Sequence, residues 1–474
     1  WPMYRADAAR TGYSSDPLPA ELALRWKHRG PVPRPAWPAS SRITYDFANQ
    51  PIIARGLVLF GSSADDRLIA LDLKTGKLRW EFFVGGPVRF APVAWRDRVF
   101  VASDDGCLYS VSLLDGKLLW RHRGGPDNRL SLGNGRVVSR WPARGGPVVV
   151  DDTIYYAAGI WPSDGVYVHA LDPLTGKVKW TNDSTGRALM PQPHGGAEAY
   201  SGVAPQGYLT ASADLLFVPT GRAVPAAFRR SDGVLEHYLL QENGSMGGSR
   251  ALFSEGFVIN GGCFLDGASG RLAARAGRGV VGVMPDGILQ FDGSQLIAYG
   301  WDEIPAKDGN PPVPARRVLR RQSQMQLAEA SEDMLLAANA AEALPNLKKM
   351  IRAEIMFRDT DPTVEKQTGL ERIIAQARPM IEDLGASIGP FLAGHYERSN
   401  ELIGVGREAV CGTSDKLRVV DLESGKTRWS ANVEGAALGL AAAEGALIVS
   451  TTSGALYCFG DNVAASDTVA PSAP

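Results

Sequence analysis

The chain contains 474 residues, 45% of them hydrophobic and 21% charged, and its formal net charge is −1. This balance excludes the basic excess that nucleic-acid-binding proteins carry, and the sequence has no run of about 18 apolar residues that would predict a transmembrane helix. The 53 glycines and 31 prolines favour many short strands joined by turns. The cysteines lie far apart without metal-binding spacing, so we predict buried strand residues and no metal site, with a disulfide between distant strands as the alternative.

The first fifty residues are rich in proline, arginine and aromatic residues and contain one predicted strand, residues 21–28. Leu22, Leu24 and Trp26 alternate there with Ala23 and Arg25, which is the period of a strand with one buried face. No neighbouring segment offers this strand a partner. We therefore expect it to pair with the last repeat of the chain and to close a ring of sheets.

A ten-residue pattern then recurs four times and predicts a repeat architecture. Residues 71–80, 111–120, 171–180 and 420–429 each run from an apolar residue through a turn with Gly and Lys to a Trp. Each copy reads as a strand, a tight turn in which Gly supplies a positive φ, and a second strand. We interpret the aromatic residues that end these copies, and Trp26 in the first strand, as packing devices between repeats: Trp26, Trp80, Trp120, Trp180 and Trp429.

Eight units with this strand pattern follow one another within residues 1–460. The predicted ranges are 51–83, 88–121, 145–181, 203–240, 249–273, 279–302, 401–429 and 436–460. Tyr238 stands near the expected Trp position of the fourth unit, and the fifth unit keeps the turn without a Trp. The sequence therefore predicts an all-β, eight-bladed β-propeller, with a seven-bladed ring as the alternative if units five and six form one sheet.

Two segments depart from the repeat. Residues 316–398 place Leu, Ile and Met at helical spacings among Ala, Glu, Lys, Gln and Arg, which predicts a helical insertion within the propeller. Residues 461–474 consist largely of Ala, Ser, Pro and Thr and are predicted to be a disordered tail or a linker. The chain begins at Trp1, which suits either removal of a signal peptide or a propeller module taken from a longer protein.

The four motif copies that end at Trp80, Trp120, Trp180 and Trp429 resemble the PQQ-like repeat family, the propellers of the quinoprotein alcohol dehydrogenase type. Within this family the chain is most similar to unassigned bacterial extracytoplasmic members, which implies a periplasmic or secreted location. The dehydrogenases of the family imply PQQ and calcium, with adjacent cysteines against the cofactor. This chain has no adjacent cysteines and no recognisable set of calcium ligands. No cofactor is therefore predicted, and PQQ with calcium belongs to the enzymatic alternative.

The loops that gather at one mouth of the predicted ring carry six candidate ligand-binding residues: Arg89, Arg144, Trp161, His194, Glu198 and Arg222. Arginine pairs with carboxylate or phosphate oxygens, and tryptophan stacks on a ring or a sugar face. His194 and Glu198 suit an acid–base pair or two metal ligands, although their spacing in a loop fixes no geometry. Arginines that bond loop carbonyls and a histidine that braces its loop are the structural alternatives.

Together these observations predict a non-catalytic, extracytoplasmic propeller that acts as a scaffold for a small anionic or polar ligand or for a protein partner. No catalytic residue is assigned. The alternative is an atypical PQQ-dependent quinoprotein oxidoreductase. These two functions differ in one requirement, because the oxidoreductase needs a cofactor site in the channel and the scaffold does not.

Overall fold

The computed structural model describes residues 1–38, 40, 42–133, 135–192, 196–221, 223–240, 247–275, 279–285, 287–291, 295–304, 316–326 and 400–461. These residues form a ring of eight antiparallel sheets, or blades. Within the described residues the helical structure amounts to one 3₁₀ turn, Pro162–Asp164. The prediction of an eight-bladed all-β propeller is confirmed, and units five and six are separate sheets, so the seven-bladed alternative is wrong.

Two strands precede the blades, β1 Tyr13–Ser14 and β2 Ala23–Arg29. Blade 1 consists of β3 Ile52–Ala54, β4 Leu57–Ser62, β5 Arg67–Asp72 and β6 Leu78–Phe83; blade 2 consists of β7 Val93–Trp95, β8 Arg98–Ala102, β9 Cys107–Ser112 and β10 Leu118–Arg123, and a two-stranded ribbon follows it, β11 Leu130–Gly133 and β12 Arg136–Ser139. Blade 3 consists of β13 Gly145–Val150, β14 Thr153–Ala158, β15 Tyr167–Leu171 and β16 Val178–Asn182; after it come a second ribbon, β17 Ala188–Pro191 and β18 Glu198–Ser201, the short strand β19 Gly207–Tyr208, and blade 4, which consists of β20 Thr210–Ala211, β21 Leu215–Val218, β22 Ala226–Arg229 and β23 Leu235–His237.

The remaining strands complete the ring: blade 5, β24 Ala251–Ser254, β25 Phe257–Asn260, β26 Cys263–Asp266 and β27 Leu272–Arg275; blade 6, β28 Val280–Met284, β29 Gly287–Phe291, β30 Gln295–Ile304 and β31 Arg316–Gln326; blade 7, β32 Glu401–Val405, β33 Glu408–Gly412, β34 Lys416–Asp421 and β35 Thr427–Asn432; and blade 8, β36 Ala437–Ala443, β37 Ala446–Thr451 and β38 Ala455–Gly460. Strand β2 is the outer strand of blade 8 and runs antiparallel to β38, with Ala23 opposite Gly460. The first predicted strand thus closes the ring.

The predicted helical insertion is wrong where the structure describes it. Residues 316–326 form strand β31, which pairs with β30 from Gln295 opposite Gln326 to Ile304 opposite Arg316. The spacing of apolar residues in this segment suits a helix, but the free edge of β30 offers ten residues of backbone pairing, and this tertiary context overrides the local pattern. The rest of the insertion, residues 327–398, and residues 462–474 of the predicted tail lie outside the described residues.

An Asp organises the tight turn in three of the four motif copies, and Ser112 stands at this position in the copy at residues 111–120. In blade 1 the Oδ1 atom of Asp72 accepts hydrogen bonds from the backbone N–H of Lys74 and from both the N–H and the hydroxyl of Thr75. The same bonds to a Thr or Ser three residues later recur at Asp172, Asp266 and Asp421. An Asx turn of this kind fixes the loop through local hydrogen bonds, which explains why three of the four copies have Asp followed three residues later by Thr or Ser.

The motif tryptophans join each blade to the next. Each indole N–H donates to a backbone carbonyl at the turn of the following blade: Trp26 to Leu73, Trp80 to Leu113, Trp120 to Pro173, Trp180 to Arg230 and Trp429 to Leu22. The sequence predicts Tyr238 near this position in blade 4, but the structure has His237 there, whose Nε2–H donates to the carbonyl of Gly267 at 2.9 Å. An imidazole can replace indole because it also offers a flat ring with an N–H at its edge.

Residues 1–14, here called the axial segment, pass along the inner strands of the ring. Backbone N–H groups of six inner strands donate to its carbonyls: Ile53 to Trp1, Ala94 to Pro2, Ala211 to Ala8, Phe253 to Ala9, Val283 to Thr11 and Gly404 to Gly12, all at 2.7–2.9 Å. In blade 3 the contact comes from a side chain, because Arg10 Nη2 donates to the carbonyl of Pro147. The segment therefore lies in the central channel and contacts seven of the eight blades.

Candidate ligand-binding site

One face of the ring, here called the upper face, carries the connections between blades and the turns between second and third strands. Residues 30–50, the cover segment, cross this face after β2. The amide of Gln50 donates to Leu438 O in blade 8, whereas Ser249 N in the loop before blade 5 donates to Arg42 O. The cover segment thus extends across the upper end of the channel from blade 8 to the loop before blade 5.

Two predicted site residues, Arg89 and Arg144, meet beneath the cover segment. Arg144 donates to both oxygens of Asp104, from Nε to Oδ1 at 2.6 Å and from Nη2 to Oδ2 at 2.9 Å. Arg89 donates from Nε to Asp104 Oδ2 and from Nη1 to Asp46 Oδ2, each at 2.6 Å. Arg144 also donates to the hydroxyl of Tyr45. The four charges are fully desolvated and balance one another, and ligand contact by these two arginines stays a prediction.

The electrostatics of this cluster follow from its burial. Burial opposes the charge of Arg144, but the attraction of Asp104 outweighs it and raises the pKa of the guanidinium. Burial likewise opposes ionisation of Asp104, and the two arginines reverse that effect and hold its pKa below the usual value. Asp46 differs, because burial dominates and raises its pKa despite Arg89. The pairs thus keep Asp104 ionised inside the fold.

The other predicted residues do not join this cluster. Trp161, which is 54% exposed, precedes the 3₁₀ turn and makes an edge contact with Trp37 of the cover segment, with ring centroids 6.4 Å apart. Glu198 lies exposed at the start of β18, opposite Pro191. His194 and Arg222 lie outside the described residues. Of the six residues predicted to converge, Arg89 and Arg144 are therefore the two that the described part of the chain brings together.

A cavity of about 70 Å³ occupies the channel on the side of blades 5 and 6. Three arginines line it: Arg5 from the axial segment, Arg42 from the cover segment and Arg250 from the loop before β24. The described residues that line it include no acidic side chain. Glu401 lies next to this group and forms ion pairs of 2.7 Å with Arg5 and with Arg250. Three guanidinium groups therefore meet at this cavity, and Glu401 joins two of them.

Arg5 is held rigidly in this wall. Its Nε donates to Arg10 O, its Nη1 to Glu401 and Leu402 O, and its Nη2 to Val281 O and Thr11 O. All of its donor atoms are therefore engaged, and the residue contributes charge to the cavity without freedom to move. A fixed charge of this kind costs no reorganisation when an anion binds.

Asn260, at the end of β25, adds a polar atom to the same cavity. Its Nδ2 donates to the carbonyls of Gly248 and Arg250, at 3.0 and 2.6 Å. Its Oδ1 is buried and has no hydrogen-bond partner within the described part of the chain. A buried acceptor without a donor is costly, so this atom marks a place where a donor group fits.

The sequence analysis missed the three arginines of the cavity. Arg5 and Arg42 belong to segments without strand periodicity, and only the arginine content of the first fifty residues pointed to a role for them. Arg250 comes directly before an inner strand, in a position equivalent to that of Arg144 before β13. Arg144 is predicted as a site residue because it lies where the chain enters an inner strand. The same criterion, applied to every blade, also predicts Arg250.

Two ribbons flank blade 3 on the upper face and present apolar side chains to solvent. In the first, Leu132 stands opposite Val137 on the face that also carries Leu130. Leu132 is 85% exposed. In the second, Leu189 stands opposite Tyr200, and both are exposed. Paired apolar residues on a solvent-facing ribbon are uncommon in a free monomer and are typical of contact surfaces.

Within the described ranges the protein has neither a metal-binding cluster nor a helix that could span a membrane. No group of three His, Cys, Asp or Glu side chains there is arranged to hold a metal ion. None of the helices there has the length and apolar character required to cross a bilayer. The four cysteines are unpaired and buried in blades 2, 5, 7 and 8, so the alternative of a disulfide is wrong: Cys107, Cys263, Cys411 and Cys458.

Comparisons with known proteins agree with this architecture. Among solved structures, a europium-containing methanol dehydrogenase matches 97% of this chain and 98% of its own, at 13% identity and a TM-score of 0.54. Quinohemoprotein alcohol dehydrogenase from Comamonas testosteroni matches 100% of this chain and 82% of its own, at 12% identity and a TM-score of 0.57. BamB from Moraxella catarrhalis matches 86% of this chain and 82% of its own, at 13% identity and a TM-score of 0.37. At such identities the two dehydrogenase structures show the fold alone, and the match to the BamB structure carries no argument at its TM-score.

No protein with a curated description matches the sequence. The sequence profile described as outer membrane protein assembly factor BamB matches residues 26–140 and 128–281, which together make up more than half of the chain. These ranges include the first three copies of the tryptophan motif, and the eight blades extend the same repeat around the ring. The chain therefore belongs to the PQQ-like repeat family of β-propellers, as a member of the group that this BamB profile describes.

Proposed function

We propose that this protein is a non-catalytic binding scaffold that holds a small anion in its central channel. One observation carries the proposal: Arg5, Arg42 and Arg250 line a cavity without an acidic lining residue among those described. Guanidinium groups pair with carboxylate and phosphate oxygens through charge-assisted hydrogen bonds. A volume of about 70 Å³ suits an anion of a few heavy atoms, because pockets for drug-sized ligands measure roughly 300–1,000 Å³.

The oxidoreductase alternative requires PQQ, and the described channel does not fit this group. The axial segment runs through the channel, where the ring of Tyr4 stacks on that of Tyr208 at 3.6 Å. The remaining cavity is small for a fused three-ring quinone. The described carboxylates Asp46, Asp104 and Glu401 are already paired with arginine. We therefore derive no reaction from this cofactor.

Calorimetric titration with phosphate, sulfate and small carboxylates tests the proposal. We expect saturable binding of at least one anion, and a loss of affinity of about tenfold or more in Arg42→Gln and Arg250→Gln. Arg96→Gln is the matched control, because Arg96 of blade 2 is an exposed arginine that pairs with Asp152 in a turn of blade 3. Absence of binding by every anion, or equal affinities in all three variants, would refute the anion site. Alcohol oxidation after addition of PQQ and Ca²⁺ would instead support the oxidoreductase.

The exposed ribbons favour a second role, as a docking surface for a protein partner. A photo-crosslinking residue at Leu132 tests this role in cells that produce the protein. Leu114 is the matched control, because it is 83% exposed but lies in a turn on the opposite face. We expect one discrete crosslinked species at Leu132 and none at Leu114. Crosslinking at both positions, or at neither, would argue against a partner on the upper face.

The proposal includes an extracytoplasmic location. It is supported by the family, whose matching profile is described by an outer membrane assembly factor. Fractionation of cells that produce the full-length protein tests it directly. Recovery of the protein with cytoplasmic markers would contradict the location while leaving the anion site unaffected.

A further inference from the structure

We propose that blade 7 carries a binding site for the indole side chain of a tryptophan in a partner polypeptide. The site, here called the turn socket, consists of the carbonyl oxygen of Leu422 and the backbone of Gly425, in the turn between β34 and β35. It is independent of the anion site in the channel. The proposal rests on a contact that recurs between most blades and for which the outer strand of blade 6 supplies no aromatic residue.

The position of the joining tryptophan has the same register in every blade. It is the outer-strand residue paired with the third-strand residue directly before a register shift, as Trp80 is paired with Ala70. Ala274 stands at this position in blade 5, and Ser323 stands there in blade 6. Neither residue type has a ring, so the outer strands of these two blades offer no indole or imidazole to the next blade. The other six blades have Trp or His there: Trp26, Trp80, Trp120, Trp180, His237 and Trp429.

Blades 5 and 6 differ in the third-strand residue opposite this position. In blade 5 it is Phe264, a large residue that packs in the apolar cluster shared with blade 6. In blade 6 it is Ala298, the same small residue type that faces the tryptophan in blades 1 and 3. Blade 6 therefore lacks the joining ring without a larger residue across the sheet to take its volume.

The turn of blade 7 keeps both parts that other turns use to hold a ring. In blades 1, 2 and 3 a turn carbonyl accepts the indole N–H, and the indole lies against the turn glycine. A Cβ atom at Gly76, Gly116 or Gly176 would lie 2.6–2.8 Å from that ring. Leu422 and Gly425 occupy the same two places in blade 7, and Gly425 has φ +71°, within 2° of the other three glycines.

Leu422 is more exposed than its counterparts. Leu73 and Leu113, whose carbonyls accept an indole N–H, are 3% and 5% exposed, whereas Leu422 is only partly buried. Its N–H donates to Arg407 O, but its carbonyl oxygen accepts no hydrogen bond within the described part of the chain. An acceptor beside apolar surface suits a flat ring that carries an N–H at its edge.

A partner can reach the turn socket from solvent. The equivalent indoles of Trp26, Trp120, Trp180 and Trp429 are only partly buried, which places them at the rim of the ring. The sequence contains no tryptophan between Trp301 and Trp429, so the segments on either side of the socket bring no indole to it. A tryptophan of another polypeptide would repeat the contact that the other blades make within the chain.

Calorimetric titration of the full chain with a capped peptide tests the proposal. The peptide is Thr-Arg-Trp-Ser-Ala-Asn, the sequence of the outer strand that carries Trp429. We expect saturable binding, no binding with Ala in place of Trp, and an affinity about threefold to tenfold lower with 1-methyltryptophan, which lacks the N–H. Absence of binding, or equal affinities with Trp and 1-methyltryptophan, would overturn the proposal. Tighter binding of free indole would assign the socket to a small molecule and overturn the polypeptide partner.

Gly425→Ala tests the location of the site, because its Cβ would take the place of the ligand ring. Gly445→Ala is the matched control, since Gly445 has φ +68° and no atom lies within 4 Å of a Cβ there. We expect Gly425→Ala to bind the peptide at least about tenfold more weakly than Gly445→Ala does. Equal affinities of the two variants would place the peptide elsewhere and overturn the proposal.

Ser323→Trp tests the same site by supplying the ring within the chain. This variant should melt at a higher temperature and lose peptide binding, whereas Ser323→Ala should change neither. Peptide binding that survives in Ser323→Trp would overturn the proposal, and this comparison decides if Gly425→Ala does not fold. The sequence between Trp301 and Trp429 contains one imidazole, that of His395. Binding that appears only in His395→Ala would show that this histidine fills the socket and would overturn the partner.

Discussion

Arg144 and Asp104 form a two-point ion pair inside the propeller, with donor–acceptor distances of 2.6 and 2.9 Å and 1% of each side chain exposed. Arg144 leads into the inner strand of blade 3, and Asp104 lies in a turn of blade 2. Arg89 joins the same carboxylate to Asp46 of the cover segment. The pair therefore links two blades to the segment that closes the upper end of the channel.

Breaking this pair should destabilise the fold. Arg144→Met leaves the carboxylate of Asp104 buried with one arginine instead of two, and removal of one partner of a buried pair costs about 3–5 kcal/mol. We expect this loss in the free energy of unfolding measured with urea. The double variant Arg144→Met/Asp104→Leu should recover part of it, because it removes the unpaired charge. A loss below about 1 kcal/mol in the single variant would contradict the structural role.

The contact between Trp120 and Gly176 should limit substitution of the turn glycine. Gly176 has φ +71°, and a Cβ atom there would lie 2.8 Å from the indole ring of Trp120. Gly445 has nearly the same φ, +68°, with no atom within 4 Å of a Cβ. Both Ala variants carry the same backbone strain, so Gly176→Ala should lose about 1–3 kcal/mol more than Gly445→Ala. Equal losses of stability for the two variants in thermal unfolding would show that the indole ring of Trp120 can move aside without an energetic cost.

Acid should destabilise the protein through His169. Burial lowers the pKa of this histidine to about 4, against an ordinary value of 6.5, and its Nε2–H donates to Gly124 O. Between these two values the unfolded chain binds a proton that the folded chain does not, so stability falls as the pH drops from 6.5 to 4, by about 3 kcal/mol.

The matched variant for this prediction is His169→Gln, which keeps a donor near Gly124 but cannot titrate. Its melting temperature should decline less steeply than that of the natural protein over the same pH range, although His122, whose pKa is also lowered by burial, still contributes. If the melting temperatures of the natural protein and of His169→Gln declined equally with falling pH, the loss of stability in acid could not be assigned to His169.

Removal of the axial segment should weaken the ring, because six inner-strand N–H groups lose their acceptors. At about 1 kcal/mol for each net hydrogen bond, deletion of residues 1–14 should cost several kcal/mol. A synthetic peptide of residues 1–14 should bind in trans and raise the melting temperature of the deletion variant, whereas a scrambled peptide should not. A deletion variant that melts like the full chain would contradict this prediction.

The sequence predicted the ring well because its repeat acts locally. The Gly of every motif copy and the Asp of three of them fix a turn, and the Trp reaches one carbonyl of the next blade, so spacing alone reveals the contact. The axial segment gave no comparable signal, since it binds mainly through backbone carbonyls that any sequence provides. The cavity escaped prediction for a related reason: Arg5, Arg42 and Arg250 are far apart in the chain and meet only after the ring has closed.

The axial segment and the closing strand both precede every blade in the chain, yet the last partners of the segment and all those of the strand lie near its other end. Arg5 pairs with Glu401, 396 residues away, and Ala23 pairs with Gly460. Contacts of such separation form late in folding, because a long loop must close before they contribute any stability. During synthesis, the free edge of β2 therefore stays exposed until blade 8 has emerged. The protein is most prone to aggregation during this interval, and a chain truncated before β38 would leave the edge of β2 exposed permanently.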